Sequence, residues 1–247
     1  MYNSNNLLLD VGQATHTGKI RKENEDSLGW FTTKYGELFI IADGMGGHQG
    51  GAAASKCAVQ SWNKYFNLYH GTSEEMLLGG LKFSEKAVHN LGISNPEYYG
   101  CGSTIVALLI NNNCAWYIHA GDSRLYILSD GRLNQIGRDH SVVEDMLEIG
   151  LINSEEAKNY PKNVITQSLG GNIDIKRCLP KKILFSCGEC FLLCTDGLWN
   201  VVEKKLITKC LISNNSAQTI CEQLINLTLK YGAPDNVSMQ IIKILGK

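Results

Sequence analysis

The stretch STIVALLINNNCAWYIHAGDSRLYILSDGRLNQI, residues 103–136, contains strand-length apolar runs in succession with no helical run between them. β-Branched and aromatic residues are frequent in these runs, which favours strands over helices. Asp130-Gly131 separates two alternating segments and predicts a tight hairpin. Because strands without intervening helices pair as antiparallel neighbours, the stretch argues against a doubly wound parallel sheet and for antiparallel sheets.

Further strand-length and helical runs lie on both sides of this stretch. The remaining strand runs are 38–43, 190–197 and 236–245, and the helical runs are 51–66, 76–93 and 216–232. Ser216 is a candidate N-cap and Gly232 a candidate C-terminal stop of the last helix. The predicted class is therefore α+β, with helices covering antiparallel sheets. Between them, polar residues 137–172 predict a surface excursion with one or two short helices, and long insertions of this kind are often functional.

Composition and charge exclude several classes of protein. The 247 residues include 23 basic and 24 acidic side chains, and this balance gives no electrostatic footprint for nucleic acid or a membrane surface. The N-terminal MYNSNNLLLD is too short and too weakly apolar for a signal peptide or a membrane span, so a cytoplasmic location is expected. Without a linker, repeat or low-complexity tract, residues 1–247 are expected to form one domain, and we expect a monomer.

Nine cysteines are scattered through the predicted strands and helices. Their odd number and scatter favour reduced core thiols over a secreted disulfide framework. Cys187 and Cys190 form a C-x-x-C pair, but a zinc site would need a second pair at similar spacing, and Cys194 is the nearest candidate. Packing is the favoured interpretation of these cysteines, and zinc is the alternative.

Acidic residues recur at the ends of the predicted strands. These acids are Asp43, Asp122, Asp196 and Asp235, and the early segment RKENEDS adds Arg21, Glu25 and Asp26. Strand ends that meet at one rim would bring the carboxylates together, where they repel one another unless cations intervene. An all-oxygen ligand set suits Mg²⁺ or Mn²⁺ better than zinc. The alternative for each Asp-Gly pair taken alone is ordinary turn chemistry.

A glycine-rich segment follows Asp43 directly. The segment reads GMGGHQGG from Gly44 to Gly51. Because Gly44 has no side chain, the main chain can come close to a bound group there, and the Gly44 carbonyl is a candidate metal ligand beside the Asp43 carboxylate.

Seven motifs in order resemble those of the metal-dependent serine/threonine protein phosphatases of the PP2C (PPM) family, in the short bacterial form. They are RKENEDS (21–27), ADGMGGHQGG (42–51), GSTIVALL (102–109), HAGDSRLY (119–126), DHS (139–141), CTDGLWN (194–200) and APDNVS (233–238). The resemblance covers about residues 10–245. It implies a four-layer α-β-β-α sandwich with two central antiparallel β-sheets flanked by helices, a metal site at one end, and a flap at about residues 137–172.

The resemblance also implies a role for each site residue. Asp43 matches the acid that bridges two Mn²⁺ or Mg²⁺ ions, Gly44 gives its carbonyl to one ion, and Asp196 and Asp235 complete the other. Asp122 matches the acid of a third, weaker ion. The remaining matches are Arg21 as the phosphate-binding arginine and Glu25 and Asp26 as acids that hold metal-bound waters.

The activity implied by the resemblance is hydrolysis of phosphoserine and phosphothreonine in proteins by a metal-bridging water or hydroxide, without a phosphoenzyme. The substrates would be products of a serine/threonine protein kinase. One alternative is a catalytically weak relative that binds phosphoproteins, and the presence of Asp43, Asp196 and Asp235 counts against it. Another is an aspartyl-phosphate enzyme, which would need a D-x-D pair where Gly44 and Met45 stand.

Two positions depart from the family pattern. Met45 stands where eukaryotic relatives carry a histidine that acts as a proton donor, and that role is not transferred to His48. Asn200 replaces an acid that many relatives carry beside the third metal ion.

Overall fold

The computed structural model describes residues 2–4, 7–46, 49–111, 114–161, 164–171, 174 and 177–246. The strands formed by these residues are β1 (Tyr2–Ser4), β2 (Leu7–His16), β3 (Asp26–Thr33), β4 (Gly36–Met45), β5 (Gly102–Ser103), β6 (Ile105–Ile110), β7 (Ala115–Ala120), β8 (Arg124–Ser129), β9 (Arg132–Ile136), β10 (Lys181–Ile183), β11 (Cys190–Cys194) and β12 (Val237–Gly246). The α-helices are α1 (Gln49–Leu68), α2 (Ser73–Ser94), α3 (Val142–Glu148), α4 (Asp196–Trp199), α5 (Lys204–Ile212) and α6 (Ala217–Lys230).

The strands form two antiparallel sheets. The first has the order β1-β2-β12-β11-β8-β9, and the second has the order β10-β7-β6-β4-β3, with β5 paired to the end of β4. Apolar side chains from the inner faces of both sheets form one core, for example Phe39 of β4 against Phe191 of β11. The stretch 103–136 thus supplies neighbouring strands to both sheets, as its uninterrupted strand runs predicted.

Helices cover the outer face of each sheet. Trp62 and Leu77, from α1 and α2, pack with Ile40 of the second sheet, and Ile220 and Leu224 of α6 pack against the first sheet. Each helix has the apolar stripe that such packing requires. The predicted four-layer sandwich of two central antiparallel sheets flanked by helices is therefore confirmed.

Local sequence signals account for several element boundaries. Asp130 and Gly131 have φ values of 50° and 72°, the left-handed conformation that a two-residue hairpin between β8 and β9 requires. Ser216 caps α6, as predicted, by accepting a hydrogen bond from the Thr219 N–H. Thr72 caps α2 through a capping box with Glu75 that the sequence analysis did not identify.

The excursion at 137–172 carries α3 and a short 3₁₀ helix, Glu156–Asn159, as predicted for its described residues. Val143, Ile152 and Ala157 form a small apolar core of its own. Backbone hydrogen bonds join the excursion to the sandwich. The His140 N–H donates to the Gly121 carbonyl (2.9 Å), the Leu169 N–H donates to the Ser103 carbonyl (2.8 Å), and the Ser103 N–H donates to the Leu169 carbonyl (3.1 Å). The flap therefore starts and returns beside the strand ends.

All nine cysteines are free thiols, as expected from their scatter. Cys190 and Cys194 are buried in β11, where burial raises the pKa of the Cys190 thiol to about 12. Cys187 is exposed, and its Sγ donates to the Leu245 carbonyl at 3.0 Å. Core packing is therefore confirmed for Cys190 and Cys194, and it is wrong for Cys187, which is exposed.

Among the described residues, no helix is both long enough and apolar enough to span a membrane.

Candidate functional site

One cavity, of about 470 Å³, opens at the rim of the sandwich where β4 ends and β12 begins. Its lining includes seven of the eight residues singled out in the sequence: Arg21, Glu25, Asp43, Gly44, Asp122, Asp196 and Asp235. Lys22, Glu23, Met45, Gly46, Thr104 and Ile165 complete the lining. The eighth residue, Asp26, is buried and does not line the cavity.

Asp43 is fixed by the neighbouring β5–β6 segment. Its backbone N–H donates to Thr104 Oγ1 at 3.0 Å, and its carbonyl accepts from the Thr104 N–H at 2.8 Å and from Ser103 Oγ at 3.0 Å. Thr104 Oγ1 also lies 2.7 Å from Ser123 Oγ, beside Asp122. Thr104 therefore connects the Asp43 backbone to the side chain of Ser123, which follows Asp122.

Gly44 is required by packing. A Cβ atom there would lie 2.0 Å from the Gly51 carbonyl oxygen and 2.7 Å from that of Glu25, to which the Gly44 N–H donates at 3.1 Å. From the sequence, this glycine was expected to allow the approach of a bound group. In the structure, the chain that comes close is the first turn of α1, so the side chain is excluded by the protein itself.

Arg21 and Asp235 form an ion pair at the cavity wall. Arg21 Nη2 donates to Asp235 Oδ2 at 2.8 Å, and the second carboxylate oxygen accepts the Asn236 backbone N–H at 2.8 Å. The Arg21 side chain is 50% exposed, so much of its guanidinium still faces solvent.

Asn236, which was not predicted from the sequence, joins the loop that carries Arg21 to the start of β12. Its Oδ1 accepts from the Glu25 N–H at 2.8 Å, and its Nδ2 donates to the carbonyls of Thr17 (2.8 Å) and Glu23 (2.9 Å). Asn236 is almost fully buried. In sequence it resembles any asparagine that follows a turn acid, and its partners lie more than two hundred residues away.

Asp26 lies beneath the cavity. Its Oδ2 accepts from Thr195 Oγ1 at 3.0 Å, and Thr195 Oγ1 in turn accepts from the Ser238 N–H at 3.0 Å. The other carboxyl oxygen, Oδ1, is buried without a hydrogen-bond partner among the described residues. Burial raises the pKa of Asp26 to about 7, and the charges of Asp196 and Asp235 add to the shift.

The remaining acids perturb one another in the same way. Burial raises the pKa of Asp43 well above its usual value, and the neighbouring acids raise it further. Burial also raises the pKa of Asp122 to about 7 and that of Asp196 to about 6, and Arg21 partly opposes the shift of Asp196. So many converging carboxyl groups in one buried region call for additional positive charge.

The donor set fits a hard divalent cation. Asp196 Oδ1, like Asp26 Oδ1, is buried without a hydrogen-bond partner in the described part of the chain. The described residues contain no group of three or more histidine, cysteine or acidic side chains that is already arranged to hold one ion. Mg²⁺ sites take one or two carboxylates and keep several waters. The acids and the Gly44 carbonyl would thus provide part of each coordination shell.

Asp122 is 5% exposed, and its backbone carbonyl accepts a hydrogen bond from Trp199 Nε1 at 3.1 Å. Met45, in the place of the eukaryotic histidine, is half-buried in the cavity wall. His48 lies outside the described residues. Asn200 is exposed at the end of α4 and does not belong to the cavity lining.

Comparisons with known proteins agree with this geometry. Residues 19–237 match the sequence pattern of the protein phosphatase 2C family. The chain is 32% identical over 240 residues to the serine/threonine phosphatase stp of Listeria welshimeri, with 93% of each chain covered. It is 31% identical over 242 residues to protein phosphatase PhpP of Streptococcus pneumoniae, covering 96% of this chain and 98% of PhpP.

A solved structure extends the comparison to metal binding. The catalytic domain of the serine/threonine protein phosphatase PstP, in complex with two manganese ions, aligns with a TM-score of 0.84 at 29% identity, over 97% of this chain and 99% of that chain.

Proposed function

This chain belongs to the protein phosphatase 2C family, and we propose that the acidic cavity at the sandwich rim is its catalytic centre. The protein is a metal-dependent phosphatase of phosphoserine and phosphothreonine in proteins. The observation that carries the proposal is the convergence of Asp43, Asp122, Asp196 and Asp235 with Arg21 around one cavity. The alternative, a phosphoprotein-binding relative without activity, is not favoured, because the predicted acidic ligands are all present.

Two divalent ions, Mn²⁺ or Mg²⁺, are proposed to bind at Asp43, the Gly44 carbonyl, Asp196 and Asp235. When bound at these residues, the ions would supply a water molecule of lowered pKa, which is the nucleophile that hydrolysis of a phosphate ester requires. The protein residues hold this centre in place, because Thr104 fixes the Asp43 backbone and Asn236 donates its N–H to Asp235. No side-chain nucleophile is needed, so no phosphoenzyme forms.

Arg21 is proposed to bind the substrate phosphate. Its planar guanidinium presents N–H donors in a fork that matches two phosphate oxygens. The bond to Asp235 uses Nη2, and the half-exposed side chain leaves other donors directed toward solvent. Glu25 and Asp26 are proposed to accept hydrogen bonds from metal-bound waters, with Asp26 acting from beneath the cavity.

Asp122 is proposed to hold a third, weaker ion and to help protonate the leaving serine or threonine oxygen. Asp122 lines the same cavity as the other acids, and the proton would come from water held by the third ion rather than from the Asp122 carboxyl itself. Residues 1–247 are proposed to act as one catalytic domain, with the flap at 137–172 beside the site. The substrates are proposed to be proteins phosphorylated by a serine/threonine kinase.

Release of phosphate from a phosphothreonine peptide tests the proposed centre. The protein is stripped with a chelator, and activity is measured before and after Mn²⁺ or Mg²⁺ is added back. Loss on chelation and recovery with metal are expected, and Asp43→Asn should not recover. Phosphate release that is indifferent to chelation would contradict the metal assignment.

A further inference from the structure

Arg124 makes three kinds of contact at once. Its Nε and Nη2 donate to the Asp139 carboxylate, with distances of 2.9, 3.1 and 2.6 Å. Its Nη1 donates to the Tyr126 hydroxyl at 2.9 Å. The guanidinium carbon lies 3.3 Å from the centre of the Trp199 ring, a stacked cation–π arrangement. All three contacts use the planar shape of arginine, which lysine does not have.

The pair that Arg124 forms with Asp139 is well shielded. The side chains are 18% and 8% exposed. Burial opposes the charge of Arg124, but the hydrogen bonds and charge of Asp139 hold its pKa above the usual value. A buried pair of this kind fixes geometry strongly, because removing one partner leaves the other charge uncompensated.

Trp199 carries the contact from Arg124 to Asp122. The indole Nε1 donates to the Asp122 carbonyl at 3.1 Å. Trp199 is the last residue of α4, the helix whose first residue is Asp196. The guanidinium therefore packs against a ring that contacts one proposed metal ligand and belongs to the helix of another.

Asp139 connects the same group to the base of the flap. It lies three residues after β9, and Gln135 Nε2 donates to its Oδ1 at 2.8 Å. The next residue, His140, donates its N–H to the Gly121 carbonyl, directly before Asp122. The base of the flap is thus bonded to the residue before Asp122, through His140 and Gly121, and to Arg124 after it, through Asp139.

We propose that Arg124 is a positioning residue for Asp122, holding it through Trp199 in a fixed arrangement with the flap base at Asp139. This inference rests on the proposed role of Asp122 in turnover. Arg124 does not line the site cavity, so its effect on the reaction would pass through Asp122. The simpler alternative is that the Arg124–Asp139 pair only stabilises the fold.

A comparison of single and double variants distinguishes a positioning role of Arg124 from a role in stability alone. The variants are Arg124→Lys, Trp199→Phe, Asp122→Ala and the combination of Arg124→Lys with Asp122→Ala, and exposed Arg132 provides the control Arg132→Lys. Each is assayed for kcat and KM on a phosphothreonine peptide at saturating Mn²⁺, with thermal unfolding measured in parallel. Mn²⁺-dependent turnover by the wild-type protein is established first, so failure of the proposed function is seen before any variant is compared.

Arg124→Lys is expected to lose about tenfold in kcat, the effect of one lost charged hydrogen bond on a barrier. Trp199→Phe, which keeps an aromatic ring but lacks the indole N–H, should lose about threefold or more, again mainly in kcat. The combined variant should be no slower than Asp122→Ala, within about twofold, because both changes act on the same group. Arg132→Lys should match the wild type.

Three results would overturn the inference. One is a combined variant whose loss is the product of the two single losses. Another is a slow Arg124→Lys beside an Asp122→Ala of wild-type rate, and the third is an Arg124→Lys of wild-type rate. If Arg124→Lys does not fold, Trp199→Phe combined with Asp122→Ala provides the same comparison, because that change removes a single hydrogen bond.

Discussion

Asp26 and Asp43 lie directly opposite each other in the antiparallel pairing of β3 with β4. Opposed residues in such a pair have Cβ atoms about 5 Å apart, and like charges there destabilise the sheet. Asp26 is buried and Asp43 is half-buried at the cavity, and the pKa of each carboxyl group is raised. The pairing of β3 with β4 thus holds two acidic side chains close together, and a divalent cation would reduce the repulsion between their carboxylates.

Asp43→Asn should change activity and stability in opposite directions. We expect turnover to fall by more than about 100-fold, beyond the range typical of changes in residues that only support a metal ligand. The metal-free variant should be at least as stable as the metal-free wild type near pH 8, because one buried carboxylate has been removed. Peptide hydrolysis at saturating Mn²⁺ and thermal unfolding in chelator measure the two effects.

Asp130→Asn is the matched control for this change, because Asp130 is a hairpin acid with φ 50° and asparagine tolerates that conformation. It should leave turnover unchanged. Near wild-type turnover by folded Asp43→Asn would show that Asp43 does not hold the catalytic metal.

Mn²⁺ affinity should rise with pH. The pKa values of Asp26 and Asp122 are raised to about 7 and that of Asp196 to about 6 in the folded, metal-free protein. Metal binding requires the ionised acids and therefore releases protons. Affinity should increase about tenfold per pH unit for each proton released, over the range in which these acids titrate. Calorimetric titrations at pH 6 and pH 8, in two buffers of different ionisation enthalpy, measure the affinity and the proton count. Equal affinities with no proton release would contradict the prediction.

The stability of the metal-free protein should show the opposite trend. Because the folded acids bind protons more tightly than the unfolded acids, their own contribution to stability is fully present below about pH 4 and is lost as the pH rises through about 7. His119 and His140 give the reverse slope below about pH 6.5, since burial lowers their pKa values to about 4 and about 3. The informative window is therefore about pH 6.5 to 8, where the histidines are neutral in both states.

Much of this site was predictable because its acidic residues stand at the ends of apolar strand runs. An acid after an apolar run marks the rim of a sheet, and Asp43, Asp122 and Asp196 all follow that rule. The hairpin at Asp130 and the cap at Ser216 were predictable for the same reason, since each depends on neighbouring residues alone. The sandwich followed from the order of strands and helices.

The supporting residues were not predictable, because their partners are remote in the chain. Asn236 contacts Thr17 and Glu23 only once β12 has paired with β2, and Arg124 meets Trp199 only once β8 has paired with β11. β2 and β3 were missed because LLLDVGQATH and DSLGWFTT lack clean alternation of apolar and polar residues.

Arg21→Lys should mainly raise KM. A positive charge remains, but the fork that grips two phosphate oxygens is lost, so we expect KM to rise about five- to tenfold with little change in kcat. Inorganic phosphate should inhibit the variant more weakly by a similar factor. Arg132→Lys, at an exposed arginine, is the control. An unchanged KM together with weakened Mn²⁺ binding would instead place Arg21 in support of Asp235.

Asp122→Ala should distinguish substrates by their leaving groups. Turnover of a phosphothreonine peptide should fall by about 100-fold, the scale of general acid catalysis, because the alkoxide must be protonated. Turnover of p-nitrophenyl phosphate should fall much less, since nitrophenolate leaves without a proton. Calorimetry should still find the two tighter ions. Asp145→Ala, at a flap acid paired with Arg177, is the control. Equal losses on both substrates would count against proton donation.

Asn236→Ala should weaken both the fold and phosphate binding. The change removes three hydrogen bonds between a buried side chain and the backbone of the loop that carries Arg21. We expect a loss of about 2–3 kcal/mol in the free energy of unfolding, measured in urea, from bonds worth about 1 kcal/mol each. KM for the phosphopeptide should rise because Arg21 is no longer held in place. Mn²⁺ affinity should change little, because the backbone N–H that Asp235 accepts is still present.

Asn95→Ala is the matched control, since Asn95 donates one hydrogen bond to the Leu91 carbonyl at the end of α2. It should lose about 1 kcal/mol of stability with no change in KM. If Asn236→Ala also lost stability while its KM stayed at the wild-type value, the loop contacts would serve the fold alone and Arg21 would be positioned by its bond to Asp235.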